Sequence, residues 1–584
     1  MAESNPNASI VAPVPSIVPD AHAITPVPTV WEMVSSMDYF SIEIKMILSA
    51  TLIIYLGAHA SLRRPPSAAP PKKLKRKGGK LVVDDQKEHF AQGFEASDAF
   101  MFPLLAGGVL IFLYYLMKWL QDPTILNKIL RVYLGSSALF GMGIFFSDGL
   151  QFLISLVFPD FWIDRSGRVF EIDPVSRTQK ALKEPQGEDS DKEVDPKKGL
   201  PLPGFASEFS VSASRRKTIW MARHLLKESC VVDLVVLSRR AVAEVTVTGV
   251  IGFLIGCAVE GLYLYTNSTA LSNILGLAVC YTSFIWMSVT SFTIGSMVLV
   301  GLFVYDIVMV FYTPFMIAVA TQVDAPIKLI YGTSGGRSSL LGLGDIVIPG
   351  IFICLALRFD LWRHYQRKVR RVEENLETVS AENSDTTIGN ATEAATQVTT
   401  VKKAFRTVKA PFVDPRGQWG NYIWGTNFRG LVSGQPTLRA VSDASFSKSY
   451  FFATILGYLI GMLATLVVLM VFKRGQPALL YLVPGVCGSA WLTGLAKGEL
   501  KDMWDYTEDG SLDVEEVVVE VDGNGKVIEK PKKNSGEKKA EEETDAKKAK
   551  EVKEKEGGIG ENKDGYELFK FSITLPKEDS LKEE

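Results

Sequence analysis

The chain has 584 residues, and its 63 Lys and Arg against 65 Asp and Glu leave a net charge of −2 that points to neither nucleic acid nor an acidic partner. Its 47% hydrophobic content is gathered into blocks separated by polar stretches, which overrides the soluble, roughly four-domain reading that length alone suggests. The five cysteines (Cys230, Cys257, Cys280, Cys354, Cys487) form no CxxC and no zinc spacing, and the five histidines form no HExxH; no disulfide framework, metal, cofactor or metalloprotease chemistry is expected.

Residues 1–39 contain no Lys or Arg and no basic n-region, so they read as an outer N-terminal tail rather than a cleavable signal. Within them, Asn7-Ala8-Ser9 is a candidate N-glycosylation site. Nine apolar runs follow: Phe40–Leu62, Ala99–Leu120, Val132–Leu153, Val245–Tyr265, Leu271–Val289, Phe292–Tyr312, Leu340–Leu357, Tyr450–Phe472 and Ala478–Leu495. They are 18 to 23 residues long, close to the roughly 20 a helix needs to cross a bilayer. In lipid such runs must be helical, because each backbone polar group needs an internal partner. The expected fold class is therefore an all-α polytopic membrane protein with nine transmembrane helices. Three spans with linkers fill 40–244, and four occupy 245–357. A polar loop covers 358–449, two spans cover 450–496, and a charged tail covers 497–584.

Charge sets the expected orientation. The loop RRPPSAAPPKKLKRKGGK after the first span carries eight basic residues and no acid, which places it in the cytosol and the N-terminus outside. Nine crossings then leave the C-terminus cytosolic. Ser214–Lys217, Arg239-Arg240 and Arg358–Arg371 all fall inside, whereas Lys473 and Arg474 are an exception. Residues 63–95, 159–215 and 375–447 are rich in Pro, Lys, Glu, Ser and Thr, and with the tail from Lys501 they are expected to be disordered. The sequon Asn390-Ala391-Thr392 is cytosolic on this reading, and Asn267-Ser268-Thr269 lies too near the bilayer to be modified.

Two aspartates stand where lipid tolerates them least: Asp306 in LVGLFVYDIVMVFY and Asp345 in LLGLGDIVIPGIF. Asp306 lies six residues before the end of an outward-running span and Asp345 five residues into the returning one. Both therefore sit about 8–9 Å below the outer boundary at 1.5 Å per residue. Two carboxylates in contact share one proton. The charged member can act as general base on water, and the protonated one can polarise a carbonyl and then protonate a leaving amine. Gly342 and Gly344, on either side of Leu343, permit close backbone approach of an extended substrate. Pro349 and Gly350 loosen the helix that follows. Gln476-Pro477-Ala478-Leu479 opens the last span at the same depth.

Blander readings stand beside these. A lone buried acid is often structural, and Asp148 and Glu260 receive no role. A Gly-x-Gly is more often helix packing. Gly332–Gly336 matches G-x-S-x-G but has no partner histidine, so a nucleophile elbow is not expected there. From a different class, a proton- or cation-coupled transporter or channel also keeps carboxylates in broken helices. A third alternative is a catalytically idle membrane chaperone or degradation adaptor.

Tyr305-Asp306, Gly342-Leu343-Gly344-Asp345 and Gln476-Pro477-Ala478-Leu479 resemble the YD, GLGD and PAL motifs of the presenilin-type intramembrane aspartyl proteases. The flanks GLFVYDIVMVF, LGLGDIVIPGIFICLALRFD and QPALLYLVP, followed by LAKGEL, are more similar to the signal peptide peptidase branch, over about Ser97 to Tyr506. The resemblance implies nine helices, Asp306 and Asp345 as the dyad, and a PAL segment shaping the site. It also implies an endoplasmic reticulum membrane location. As substrates it implies signal peptide remnants and type II or tail-anchored membrane proteins. The lipid bilayer is the medium; further copies of the chain and membrane-protein degradation machinery are open as partners, and nucleic acid is not. The long inserts at 159–215 and 375–447 depart from the family pattern, and Lys582 alone leaves a dilysine retrieval signal incomplete.

Overall fold

A computed structural model describes residues 37–69, 74–77, 80–83, 93, 96–120, 123–164, 168–174, 176–182, 199–236, 239–322, 327–332, 338–376, 402–426, 445–472, 476–509, 512, 519–520 and 569–574. Asn7, Asn390, Lys473 and Arg474, and most of the G-x-S-x-G stretch lie outside the described residues. In chain order the helices are α1 (Met37–Ala60), α2 (Ala96–Leu120), α3 (Pro123–Val157), α4 (Ala213–Lys227), α5 (Val247–Thr266), α6 (Thr269–Trp286), α7 (Phe292–Ile307), α8 (Phe315–Gln322), α9 (Gly344–Gln366), α10 (Trp419–Trp424), α11 (Ser449–Phe472), α12 (Leu479–Lys497) and α13 (Leu500–Asp505).

Among the described residues, eight helices are long and apolar enough to cross a membrane: α1, α2, α3, α5, α6, α7 with the turn after it, α11 and α12. They carry the apolar skin that lipid requires. On α11, Phe452, Leu456, Ile460, Leu463 and Val467 are all exposed at spacings of three and four, a continuous stripe down one helical face. Water would penalise such a stripe; hydrocarbon does not. The protein is a multi-pass membrane protein.

The ninth expected span differs from its expectation. Residues 340–342 belong to a strand, and the helix starts at Gly344 and continues nine residues past Leu357 to Gln366. That extension carries Arg358, Asp360 and Arg363, so composition alone does not mark α9 as a span. Its apolar residues are buried all round: Ile353, Cys354, Leu355, Ala356, Leu357 and Phe359 are consecutive or nearly so, and none is exposed. A helix buried on every face must be central, and α9 is packed by α1, α6, α7, α11 and α12.

Small residues set the closest approaches. A Cβ added at Gly457 of α11 would strike the carbonyl oxygen of Gly485 in α12, and one at Gly485 would lie 2.5 Å from the Gly457 carbonyl oxygen. Only glycine allows the two backbones to meet there. At the far end of α12, Gly498 adopts φ +67°, a left-handed helix stop that favours glycine. The chain then turns into α13.

The expectation of disordered linkers fails where the linkers find partners. The strands β3 (Phe161–Ile163), β4 (Val169–Asp173) and β5 (Thr178–Leu182) form an antiparallel sheet. Trp162 stacks on Phe170 at 4.7 Å, and Trp220 of α4 joins the same cluster. Ala69 and Phe412, from two segments read as loops, exchange backbone hydrogen bonds through Ala69 N to Ala410 O (2.8 Å) and Phe412 N to Ala69 O (3.2 Å). Trp424 of α10 donates its indole N–H to Leu156 O at 2.8 Å. In the tail, Phe569–Thr574 adds as a third strand to the hairpin formed by Ser229–Val236 and Arg239–Thr246. The polar stretch 313–339 also contains structure, namely α8 and most of a β-hairpin.

Candidate active site

Asp306 sits one residue before the end of α7, where the helix widens into a π turn over Val308–Tyr312. Such turns interrupt the regular i to i−4 ladder and recur at functional sites. Asp306 is 3% exposed. Its Oδ2 accepts the backbone N–H of Leu479 at 3.1 Å. Leu479 is the first residue of α12, so its N–H has no acceptor inside its own helix. A carboxylate from a neighbouring helix therefore caps α12, and the helix dipole favours negative charge at that end. Pro477 precedes, contributing no N–H, and its carbonyl accepts from Leu480 N at 3.3 Å. The PAL segment thus acts through its backbone: Pro477 and Leu479 are buried, whereas Gln476 and Ala478 are half-buried.

Asp345 occupies the first turn of α9, which packs directly on α7 and α12. The two carboxyl groups are within electrostatic reach of each other. Asp345 is held at that point by a hairpin that the sequence did not suggest. The strands β8 (Lys328–Gly332) and β9 (Ser338–Gly342) pair antiparallel, with Lys328 opposite Gly342 and Ile330 opposite Leu340. Leu343 N donates to Ile327 O at 3.0 Å and closes the ladder one step before the helix. Asn273 of α6 clamps the outer edge of β8: its Nδ2 donates to Ile330 O at 2.8 Å and its Oδ1 accepts Ile330 N at 2.9 Å. Among the described residues, the other edge of β9 pairs with no strand.

The remaining predicted residues fall around this core. Gly342 and Gly344 are exposed, and a Cβ at Gly342 would lie 3.4 Å from Asp345 Oδ2. Leu343 is buried against α6, its Cδ2 3.2 Å from where a Cβ at Gly276 would stand. The Tyr305 ring turns toward α2, with Cε2 3.4 Å from a Cβ position at Gly107, and so forms wall rather than centre. Asp148 and Glu260 lie elsewhere. Asp148 accepts the Tyr281 hydroxyl at 2.6 Å, and Glu260 packs against Gly135. The motif KLIYG was the available signal for the hairpin: a short apolar, partly aromatic run ending in glycine.

Residues 86–510 match the signal peptide peptidase family profile. The chain belongs to the signal peptide peptidase family. "Intramembrane protease 2" of Caenorhabditis elegans is 32% identical over 272 residues, covering 45% of this chain and 42% of that protein. "Signal peptide peptidase" of Mus musculus is 29% identical over 258 residues, covering 43% and 47% respectively. A "Probable intramembrane protease" of Saccharomyces cerevisiae is 24% identical over 328 residues, covering 55% and 43%. The aligned part of the chain spans somewhat under half the length of these curated relatives. No solved structure matches it. These relatives are named as proteases, which leaves the transporter reading without support.

This family member has a second polar centre at the other end of α9, which sequence reasoning missed. Glu508, beyond α13, is 5% exposed and accepts Arg358 Nε at 2.8 Å and the Tyr506 hydroxyl at 2.7 Å. Arg63 also pairs with Glu508. Ser288 receives Arg63 Nη2 at 2.8 Å and Arg358 Nη2 at 3.0 Å. Burial alone would raise the Glu508 carboxyl, but Arg358 and Arg63 outweigh it and hold it below the usual glutamate range. One turn further on, Glu499 accepts Arg363 at 2.5 Å and the Tyr450 hydroxyl at 2.8 Å.

Proposed function

We propose that this chain is an intramembrane aspartyl endopeptidase, with Asp306 and Asp345 as its catalytic dyad. The observation that carries the reading is the convergence of three chain segments on one point. These are Asp306 at the end of α7, Asp345 at the start of α9, and the Leu479 N–H that orients Asp306.

In the proposed reaction the dyad shares one proton. The charged carboxylate takes a proton from water as the oxygen attacks the scissile carbonyl, and the protonated partner donates to the carbonyl oxygen. Collapse of the tetrahedral intermediate returns a proton to the leaving amine, and the dyad regains its starting state. The free edge of β9 gives an unwound substrate segment a strand to pair with, beside the small Gly342 and Gly344. Substrate helices must unwind before cleavage, so helix-weakening residues in them are favoured.

The substrates on this reading are transmembrane-helix peptides: signal peptide remnants and type II or tail-anchored membrane proteins. The chain would sit in the endoplasmic reticulum membrane with its N-terminus lumenal, Asn7 glycosylated and its C-terminus cytosolic. That places the dyad near the lumenal boundary, which suits substrates with cytosolic N-termini. Purified full-length protein in proteoliposomes should cleave a helical membrane peptide, and Asp306→Ala or Asp345→Ala should each abolish cleavage with expression unchanged. Retained cleavage in Asp306→Ala refutes the dyad, and ion flux without proteolysis restores the transporter.

A further inference from the structure

Asp306 has an orienting donor in the Leu479 N–H. A comparable donor stands beside Asp345 without an acceptor. Tyr458 of α11 is 0% exposed, and its hydroxyl is buried with no hydrogen-bond partner among the described residues. A buried hydroxyl left unpaired is costly, and native structures rarely keep one without a reason. Its position is set by the tightest helix contact near the site. Gly457, next in sequence, presses α11 on Gly485 of α12, and a Cβ at Gly461 would lie 2.9 Å from Tyr481 O. Those contacts fix one face of α11 against the PAL helix and put Tyr458 in the core that also holds Leu343, Ile346, Leu479 and Leu482. Leu343 and Ile346 bracket Asp345, and the Asp345 charge reaches the Tyr458 hydroxyl, as does the buried Cys280 thiol of α6. A thiol is a weak acceptor and a carboxylate a strong one.

We propose that Tyr458 is a positioning residue of the dyad, its hydroxyl donating a hydrogen bond to the Asp345 carboxyl and turning it toward Asp306 when substrate and water occupy the site. The proposal rests on the aspartyl protease reading above. It explains why a tyrosine, rather than another aliphatic residue, stands at this point of an otherwise apolar stripe of α11. It also ties the glycine contact between α11 and α12 to the chemistry, because that contact holds the donor at the right height.

The test is Tyr458→Phe in purified full-length protein reconstituted in proteoliposomes, with wild type and Asp345→Ala alongside. The substitution removes one oxygen that has no partner, so thermal stability should be unchanged or slightly higher. The expected result is a fall in kcat of about tenfold or more, the scale of one hydrogen bond to a charged group, with KM within twofold of wild type. An unchanged kcat overturns the proposal. So does a fall in kcat with a matching loss of thermal stability, because that marks a packing role. Cleavage by Asp345→Ala would instead refute the dyad itself, so the two failures are separable.

Discussion

Glu508→Ala should unlatch the chain after the last span. The side chain is 5% exposed and Arg358 is 3% exposed, so the substitution leaves a guanidinium buried without its carboxylate. Breaking a buried pair by removing one partner costs about 3–5 kcal/mol. Here the Ser61 and Ser288 hydroxyls still contact Arg358, at 3.3 Å and 3.0 Å, which argues for the lower end, about 3 kcal/mol. Amide exchange over residues 498–509 in detergent measures it: local opening should rise by about 100-fold, since 1.4 kcal/mol is a factor of ten. A double substitution, Arg358→Met with Glu508→Leu, should recover most of the loss, because an apolar pair no longer needs a counter-ion. Exchange in Glu508→Ala indistinguishable from wild type would refute the reasoning, as would a double variant no better than the single one.

Acid should act on the same latch. Glu508 is held below the usual glutamate range in the folded protein, so its contribution is present above that range and lost as pH falls through and below it. Protection of residues 498–509 should persist at pH 7 and fade below about pH 4, a loss absent in the double variant. Gly457→Leu forces a branched side chain onto the Gly485 carbonyl and should separate α11 from α12, visible as a lower unfolding temperature and lost cleavage. Asn273→Ala removes both bonds to Ile330 and should destabilise the hairpin by about 1–2 kcal/mol. Faster exchange confined to β8 and β9, with a reduced cleavage rate, is the expected reading, and unchanged exchange there would show the clamp to be idle.

Hydropathy located most of the helical frame but set some ends wrongly. The third run was expected from Val132 and the helix begins at Pro123, because Asn127, Lys128 and Arg131 lower the hydropathy of its first turns. The seventh was expected to stop at Leu357, since Arg358, Asp360 and Arg363 read as a boundary. Their partners Glu508, Phe451 N and Glu499 come from far along the chain, beyond the reach of any local pattern. The same limit hid β3 to β5: Trp162, Phe170 and Ile172 alternate correctly, but the charged residues around them dominate composition. The acids and the motif glycines were legible because a carboxylate in an apolar run has few ordinary explanations. The Leu479 N–H and the unpaired Tyr458 hydroxyl were not, since one is backbone and the other looks like any aromatic in a span.

Asp345 and Arg358 lie thirteen residues apart on one straight, fully encased helix, about 20 Å end to end. A rod gripped on all sides transmits displacement instead of absorbing it. Whatever tugs on the stretch after Gly498 (a bound antibody fragment, a cross-linker, a truncation) becomes a lever on the opposite leaflet's chemistry.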